Sequence, residues 1–164
     1  MKRRTFGLGA VASLALAGCS SKYKTYDGPE VTSIVVNKGQ RRMYLLHQEK
    51  VIKNYRFHLG FNPTGHKLYR GDGRTPEGLY YVDRRNPRSD YHLSVGISYP
   101  NAEDIERARA LGLDPGGDIF IHGEPNAKRA SKRDWTAGCI AVKNPDIEEI
   151  YAMVRTGTPV SLRA

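Results

Sequence analysis

Residues 32–60, TSIVVNKGQRRMYLLHQEKVIKNYRFHLG, decide the fold class. They contain runs of β-branched and aromatic residues, separated by two polar groups at residues 37–39 and 48–50. Such runs favour strands, and such polar groups favour turns. Apolar residues alternate with polar or basic ones, which is the period of a strand that buries one face. The alternating set is Val35, Met43, Leu45, Val51, Tyr55 and Phe57. The stretch therefore predicts a three-stranded antiparallel meander with one face on a core.

Outside this meander, short apolar runs predict more strands, and two segments predict short helices. The strands are predicted at residues 79–82, 92–97, 119–121, 139–142 and 159–162. One helix is predicted over residues 101–111, with acidic residues early and arginines late. The other is predicted to have Asn144 as N-cap and Pro145 at its first position, and to end near Gly157. The domain is therefore predicted to be mainly β with short helices.

Residues 1–19, MKRRTFGLGAVASLALAGC, combine a basic start, an apolar stretch and small residues at the end. This order is typical of a bacterial export signal, and the apolar stretch is too short to cross a bilayer as a helix. The last four residues resemble the lipobox of bacterial lipoproteins, which implies cleavage before Cys19 and its lipidation. We predict a lipoprotein export signal at residues 1–18, a lipidated linker at 19–30 and a domain at 31–164. A plain cleaved signal is the alternative.

This N-terminus predicts an exported protein that is anchored to a membrane on the extracytoplasmic side. The chain holds 26 basic and 17 acidic residues, a formal net charge of +9. A basic exported surface can meet anionic lipid or the carboxylate-rich wall polymer, whereas nucleic acid is scarce there and the sequence has no recognition motif for it. No Cys and His spacing suits zinc. We expect the wall and the membrane as partners, not nucleic acid, and neither metal nor cofactor.

Cys139 is the residue that points to chemistry. The sequence has two cysteines, and with Cys19 assigned to the anchor, Cys139 has no disulfide partner in a compartment where disulfides form. A buried structural cysteine is one interpretation. The other is a nucleophile with His122 as its base, since both residues lie at the ends of short predicted strands. Gly138 would then let the amide N–H groups around Gly138 and Cys139 face an oxyanion.

Three motifs resemble the L,D-transpeptidase catalytic domain, also called the YkuD domain. They are His122-Gly123, TAGCI at residues 136–140, and the upstream stretch GDGRTPEGLYYV at residues 71–82. The resemblance runs from about residue 31 to residue 162 and implies that family's mixed β-sandwich fold. It also implies an enzyme that acts on peptidoglycan stem peptides, with Cys139 as the nucleophile and His122 as the general base.

The resemblance implies supporting residues around this pair. The group that orients His122 is expected to be a backbone carbonyl near Gly123, so that no Asp or Asn partner is needed. Thr136, Gly138 and Gly123 are expected to stabilise the oxyanion or to orient the catalytic pair.

Candidates for substrate contact are spread along the chain. Arg74 and Tyr80 lie in the upstream motif, where turn formation is the alternative role. Trp135 precedes the TAGCI motif, where packing is the alternative. The basic run KRASKRD, residues 128–134, is either a solvated loop or a binder of stem-peptide carboxylates.

Two positions depart from the family pattern. Many members have His directly before the Gly-Cys pair and Arg two residues after it, where this chain has Ala137 and Ala141. The sequence TAGCIAV is closer to a branch that includes enzymes detaching wall-linked lipoprotein. Transfer to an acyl acceptor and hydrolysis of a wall cross-link or lipoprotein link are therefore both open. A non-catalytic peptidoglycan-binding lipoprotein is the alternative of another class.

Overall fold

The computed structural model describes residues 21–125 and 132–164. The predicted export signal, Cys19 and residues 128–131 of the basic run lie outside the described residues. Within the described ranges, no helix is both long and apolar enough to cross a membrane.

Residues of the predicted linker contact the domain. The Lys22 ammonium donates to the carbonyl oxygens of Pro87 and His92, at 2.8 and 3.1 Å. Lys24 donates to the Pro145 carbonyl at 3.2 Å, and Tyr26 packs against the core. The folded part of the chain therefore extends upstream of residue 31.

Eight strands and two helices make up the described chain. The strands are β1 (Ser33–Asn37), β2 (Arg42–His47), β3 (Lys50–Arg56), β4 (Gly78–Asn86), β5 (Ser94–Ile97), β6 (Phe120–His122), β7 (Ile140–Ala141) and β8 (Pro159–Arg163). The helices are α1 (Ala102–Ala110) and α2 (Asn144–Met153). The predicted antiparallel meander is formed by β1, β2 and β3. The prediction of a mainly β domain with short helices is confirmed.

The strands form one eight-stranded sheet in the order β3-β2-β1-β8-β4-β5-β6-β7. The pairs β1 with β8 and β6 with β7 are parallel, and the other neighbours are antiparallel. β4 belongs to both halves of the sheet, since residues 78–81 pair with β8 and residues 82–86 pair with β5. The register shifts between Val82 and Arg84. A bulge of this kind bends a strand, so the sheet turns at β4.

The two ends of the sheet meet at the segment that follows β3. Isolated bridges join His58 to Ala141 and Gly60 to Thr136. His58 and Ala141 exchange two backbone hydrogen bonds, at 2.8 and 2.9 Å. The sheet therefore wraps around one core, and the motif that contains Cys139 lies where the two ends meet.

A single cluster of buried apolar side chains fills the wrapped sheet. Both ends of the sheet and α2 contribute to it, with Ile34, Leu45, Val95, Ile121, Ile140, Ile147 and Ile150 among its members. In the meander, the predicted alternation is wrong at two positions. In β1, Val35 is half-buried on the outer face. Residues 34–36 are all apolar, so the sequence does not determine which of them face the core. Val51 is 48% exposed, because β3 is an edge strand and the register slips at a bulge after Leu45.

The start of α2 also differs from the prediction. Lys143 is the N-cap, Asn144 is the first helical residue, and the helix ends at Met153 rather than near Gly157. The Asn144 side-chain oxygen instead accepts a hydrogen bond from the N–H of Glu124, at 2.7 Å. Asn144 therefore supports the segment that follows His122 and does not cap the helix.

Candidate active site

β6 and β7 bring Cys139 and His122 to one cavity. The two strands are parallel neighbours, with His122 opposite Ala141. The same register sets Cys139 opposite Phe120, and Phe120 shares a face with His122 because side chains alternate along a strand. Cys139 and His122 both line a cavity of about 270 Å³, which we call the histidine-side cavity. Its other lining residues are Asn86, Ser89, Asp90, Tyr91, Ser94, Asp118 and Phe120.

The thiol of Cys139 is half-buried between two backbone groups. The N–H of Phe120 donates to Sγ at 3.4 Å, and the thiol donates to the carbonyl of Asp118 at 3.4 Å. Burial raises the pKa of this thiol; the Phe120 N–H opposes the shift, and the negative charge of Asp118 adds to it. Because these surroundings disfavour the thiolate, which is the form that attacks a carbonyl, a nearby base would assist the reaction.

The ring of His122 is buried and oriented by the backbone. Its Nδ1 lies 2.6 Å from the carbonyl oxygen of Gly123. A carbonyl can only accept, so Nδ1 carries the proton and Nε2 is the basic nitrogen. The orienting carbonyl near the His-Gly pair therefore belongs to Gly123 itself.

Two aromatic side chains pack against the imidazole. The ring centroids of Tyr91 and His122 are 4.4 Å apart, and those of Trp135 and His122 are 5.6 Å apart with an edge-on geometry. Tyr91 and Trp135 also stack on each other at 6.0 Å. Trp135, a candidate for substrate contact, thus contacts the candidate base. Tyr91 was not among the predicted residues, and no motif in its neighbourhood marks it.

Gly123 is required by a close approach of three elements. A Cβ at this position would lie 2.4 Å from Asn144 Oδ1 and 2.9 Å from the Tyr91 carbonyl oxygen. The Gly123 N–H donates to the carbonyls of Tyr91 and Leu93, at 3.0 and 3.2 Å. These contacts fix the carbonyl that orients His122.

The turn before Cys139 is held by two threonines. The Thr136 hydroxyl donates to the Cys139 carbonyl at 2.7 Å and accepts from the Gly138 N–H at 3.2 Å. The Thr75 hydroxyl donates to the Gly138 carbonyl at 2.7 Å. Gly138 has φ of 131°, and a Cβ there would lie 2.6 Å from the Arg74 carbonyl oxygen. The Gly138 N–H is used inside the turn. The Cys139 N–H is therefore the amide of this pair that can donate to an oxyanion.

Asp72 organises the upstream motif against this turn. Its carboxylate is buried and accepts from the Lys67 ammonium at 2.9 Å, and from the backbone N–H groups of Leu68 and Arg74 at 2.7 and 3.0 Å. Burial alone would raise the pKa of Asp72, but these donors hold it below its ordinary value. The loop in turn presents Thr75 to Gly138. The upstream motif therefore supports the turn that carries Cys139.

Two of the predicted substrate-contact residues lie elsewhere. Tyr80 is 1% exposed, and its hydroxyl donates to Asp104 Oδ2 at 2.8 Å. Its ring packs edge-on against Tyr99, so Tyr80 is a core residue and not a substrate contact. Alternation along β4 turns Tyr80 inward and Tyr81 outward. Arg74 is half-buried and lines neither of the cavities that meet at Cys139.

A second cavity is also lined by Cys139. It has a volume of about 300 Å³ and is lined by Lys67, Arg70, Gly71, Gly116, Gly117, Asp118, Ile119, Ala137 and Cys139. We call it the glycine-side cavity. Ala137 is exposed here, at the position where many family members have His. Across residues 21–125 and 132–164, no three His, Cys, Asp or Glu side chains are grouped as a metal site.

Comparison with known proteins gives consistent matches. A family model of the L,D-transpeptidase catalytic domain (YkuD) matches residues 31–162. YafK of Escherichia coli K12, provisionally named an L,D-transpeptidase, is 32% identical over 141 residues, which cover 82% of this chain and 52% of YafK. Pgp2, a helical cell shape determining protein of Campylobacter jejuni, is 26% identical with a TM-score of 0.63, over 88% of this chain and 51% of Pgp2.

An L,D-transpeptidase of Enterococcus faecium shares the fold, at 17% identity and a TM-score of 0.53, over 82% of this chain and 50% of that one. The predicted L,D-transpeptidase-type fold is thereby confirmed. The chain spans about half the length of the curated relatives it matches. The family model and the relative in Escherichia coli together show that this chain belongs to the L,D-transpeptidase catalytic domain family.

Proposed function

We propose that this chain is a cysteine acyltransferase that modifies peptidoglycan stem peptides through a thioester on Cys139. One observation carries the proposal: Cys139 and His122 line the same cavity from adjacent parallel strands, and the Gly123 carbonyl fixes the imidazole tautomer. A structural cysteine would not need an oriented imidazole in the same cavity.

The first half-reaction acylates the enzyme. Nε2 of His122 takes the Cys139 proton as Sγ attacks the carbonyl carbon on the L-centre of the diamino acid. The tetrahedral oxyanion is met by the Cys139 N–H. Its collapse breaks the carbon–nitrogen bond to the terminal D-residue, and His122 returns the proton to the leaving amine. A base assists this step because burial raises the pKa of the Cys139 thiol and so disfavours the thiolate.

The second half-reaction releases the acyl group. An acceptor amine or a water molecule attacks the thioester carbonyl carbon and loses a proton to His122. The bond between that carbon and Sγ then breaks, and His122 returns the proton to Sγ. The amine gives a new cross-link, and water gives hydrolysis. The two cavities that meet at Cys139 offer separate places for the donor and for this second nucleophile. The small side chain of Ala137 leaves the glycine-side cavity open to either, so an L,D-endopeptidase is the second candidate.

Mass spectrometry of muropeptides tests this function. Purified full-length protein is incubated with stem tetrapeptides and with isolated wall, alongside a Cys139→Ala variant. New 3,3 cross-links with loss of the terminal D-residue support the acyltransferase, and freed peptides or freed lipoprotein support the hydrolase. An unchanged muropeptide profile, combined with wall binding that survives Cys139→Ala, would leave a non-catalytic peptidoglycan-binding protein instead.

We also propose that the protein works outside the cytoplasm, anchored by lipid on Cys19. The pattern of residues 1–19, which resembles an export signal with a lipobox, supports this, and so does the proposed action on the wall. A part in cell shape, as for Pgp2, would follow from wall modification. The mass of the mature N-terminus after expression in a bacterium should show a diacylated or triacylated Cys19. An intact N-terminus, or one cleaved without lipid, would contradict the anchor.

A further inference from the structure

A third cavity, beyond the end of β7, has an excess of basic over acidic residues in its lining. We call it the basic cavity; its volume is about 620 Å³, more than twice that of the histidine-side cavity. Its charged or titratable lining residues are Arg41, Arg56, His58, Arg133, Lys143, Glu124 and Asp134. Four permanent cations therefore face two acids.

One of the two acids is already neutralised. Arg41 holds Asp134 through two contacts, Nε to Oδ1 at 3.1 Å and Nη2 to Oδ2 at 2.8 Å, and the Leu59 N–H adds a third at 2.9 Å. Arg133 lies 3.6 Å from the same carboxylate. Asp134 is thus a structural anchor and leaves little negative charge to offer the cavity.

Two of the cations are left available. Among residues 21–125 and 132–164, neither the Arg56 guanidinium nor the Lys143 ammonium has a hydrogen bond or an ion pair. Both side chains are exposed and face the cavity from different elements, β3 and the N-cap of α2. The cavity therefore attracts anions, and Glu124 is the acid that opposes them.

The basic cavity is close enough to Cys139 to serve the same peptide. Ala141 lines it and lies two residues along the chain from Cys139, about 7 Å in a strand. Glu124 lines it too and follows His122 by two residues. A bound tetrapeptide extends over about 13 Å. A stem peptide with its reacting carbonyl at Cys139 can therefore reach the cavity with its other residues.

We propose that the basic cavity binds free carboxylates of the stem peptide that Cys139 attacks, with Arg56 and Lys143 as the contacts. This inference rests on the proposed function and names the part of the substrate that the enzyme recognises away from the reacting bond. Stem peptides carry several carboxylates, and arginine and lysine are the side chains that bind them. A concave cavity beside the catalytic strands fits a peptide, whereas a flat lipid surface cannot enter it.

Peptide titration of the full chain with Cys139→Ala, which binds without turnover, tests this site. The probe is L-alanyl-γ-D-glutamyl-diaminopimelyl-D-alanine, compared with the same peptide with its carboxylates amidated. Adding Arg56→Gln and Lys143→Gln should weaken binding by about threefold to twentyfold, as two exposed ion pairs contribute. Lys50→Gln with Arg163→Gln is the matched control, since both residues are exposed and the charge change is the same. It should change the affinity less than about twofold.

Each outcome is decisive because binding does not require the chemistry of Cys139. The amidated peptide should bind the Cys139→Ala protein more weakly than the acidic peptide does. Its affinity should not change when Arg56→Gln and Lys143→Gln are added. Equal weakening by the control pair would mean long-range attraction only and would overturn the site. So would an unchanged affinity, no measurable binding of the acidic peptide, or competition by phosphatidylglycerol vesicles that depends on Arg56 and Lys143. Failure of the proposed function would appear in a separate experiment, as missing acylation of Cys139 in the unsubstituted chain.

Discussion

Backbone and side-chain groups around the Cys139 thiol shift its pKa in opposing directions. Burial raises its pKa, the Phe120 N–H lowers it, and the charge of Asp118 raises it again. Lys67 and Arg84 act weakly in the lowering direction. Arg84 is paired with Asp118, at 3.0 Å from Nη2 to Oδ1. A single substitution at Asp118 therefore removes an anion near the nucleophile and leaves Arg84 paired with Asp83.

Asp118→Asn should lower the pKa of Cys139 and increase its alkylation by iodoacetamide at pH 8. The effect should be about twofold to threefold, because the Asp118 side chain is 84% exposed and solvent screens its charge. Asparagine tolerates the positive φ of 55° at this position. The check is the pH profile of the alkylation rate, with Asp27→Asn, at an exposed position, as the control. An unmoved profile, or one shifted to higher pH, would show that Asp118 does not act on the thiol.

At the scale of elements, the loop between β3 and β4 supports the turn between β6 and β7. Asp72 fixes the loop by accepting the Arg74 N–H. The Thr75 hydroxyl, from the same loop, donates to the Gly138 carbonyl and so holds the turn. Lys38, a buried lysine, fixes the same loop from the turn after β1, donating to the Thr75 carbonyl at 2.9 Å and to Glu77 at 2.8 Å. The position of Cys139 thus depends on a loop more than sixty residues earlier in the sequence.

Thr75→Val should slow acylation of Cys139 by a β-lactam about tenfold, because a turn that moves by a fraction of an ångström misplaces the nucleophile. The orphaned Gly138 carbonyl should also lower the free energy of unfolding by about 1 to 3 kcal/mol. Stopped-flow acylation and urea denaturation measure the two effects. Thr64→Val, at an exposed position, is the control. A folded Thr75→Val protein that acylates at the parent rate would exclude this role for the loop.

For the whole molecule, the buried pair of Lys67 and Asp72 links stability to pH. Lys67 and Asp72 are 3% and 7% exposed, and their atoms are 2.9 Å apart. The folded state lowers the pKa of Asp72 below that of an unfolded carboxyl group, which is about 3.9. A group of this kind stabilises the fold above its unfolded pKa, and the contribution is lost as pH falls through the folded pKa.

Asp72→Asn should reduce the free energy of unfolding at pH 7 by about 3 to 5 kcal/mol, since it leaves the Lys67 ammonium buried without its charge partner. The difference from the parent should stay constant from pH 7 to about 5 and narrow below about pH 4, because Asp72 then takes up a proton in the unfolded chain before it does so in the folded protein. Urea denaturation between pH 7 and about pH 2 measures it. Glu106→Gln, which breaks an exposed pair with Arg109, should change the same quantity by less than about 1 kcal/mol. A pH-independent difference at Asp72 would contradict the linkage.

The periodicity of apolar residues predicts the meander and the strands at Ile121 and Ile140, and the family motifs predict that Cys139 and His122 share a cavity. Neither signal predicts contacts between distant segments of the chain. The parallel pairing of β1 with β8 joins residues more than one hundred positions apart, and no local pattern specifies it. Tyr80 and Tyr81 are adjacent and alike, so only the sheet decides which one faces the core. Asn144 is a residue type that favours the N-cap, yet its side-chain oxygen accepts a hydrogen bond from the Glu124 N–H instead of capping the helix.

The intact mass of the full chain after incubation with a carbapenem tests the central claim most directly, because a strained lactam acylates an activated thiol. We predict the added mass of one carbapenem, mapped to Cys139 by peptide sequencing. The adduct should be absent in Cys139→Ala and should form about 10² to 10⁴ times more slowly in His122→Gln. A folded parent protein that forms no adduct, or an adduct that persists in Cys139→Ala, would contradict a nucleophile at Cys139 served by His122.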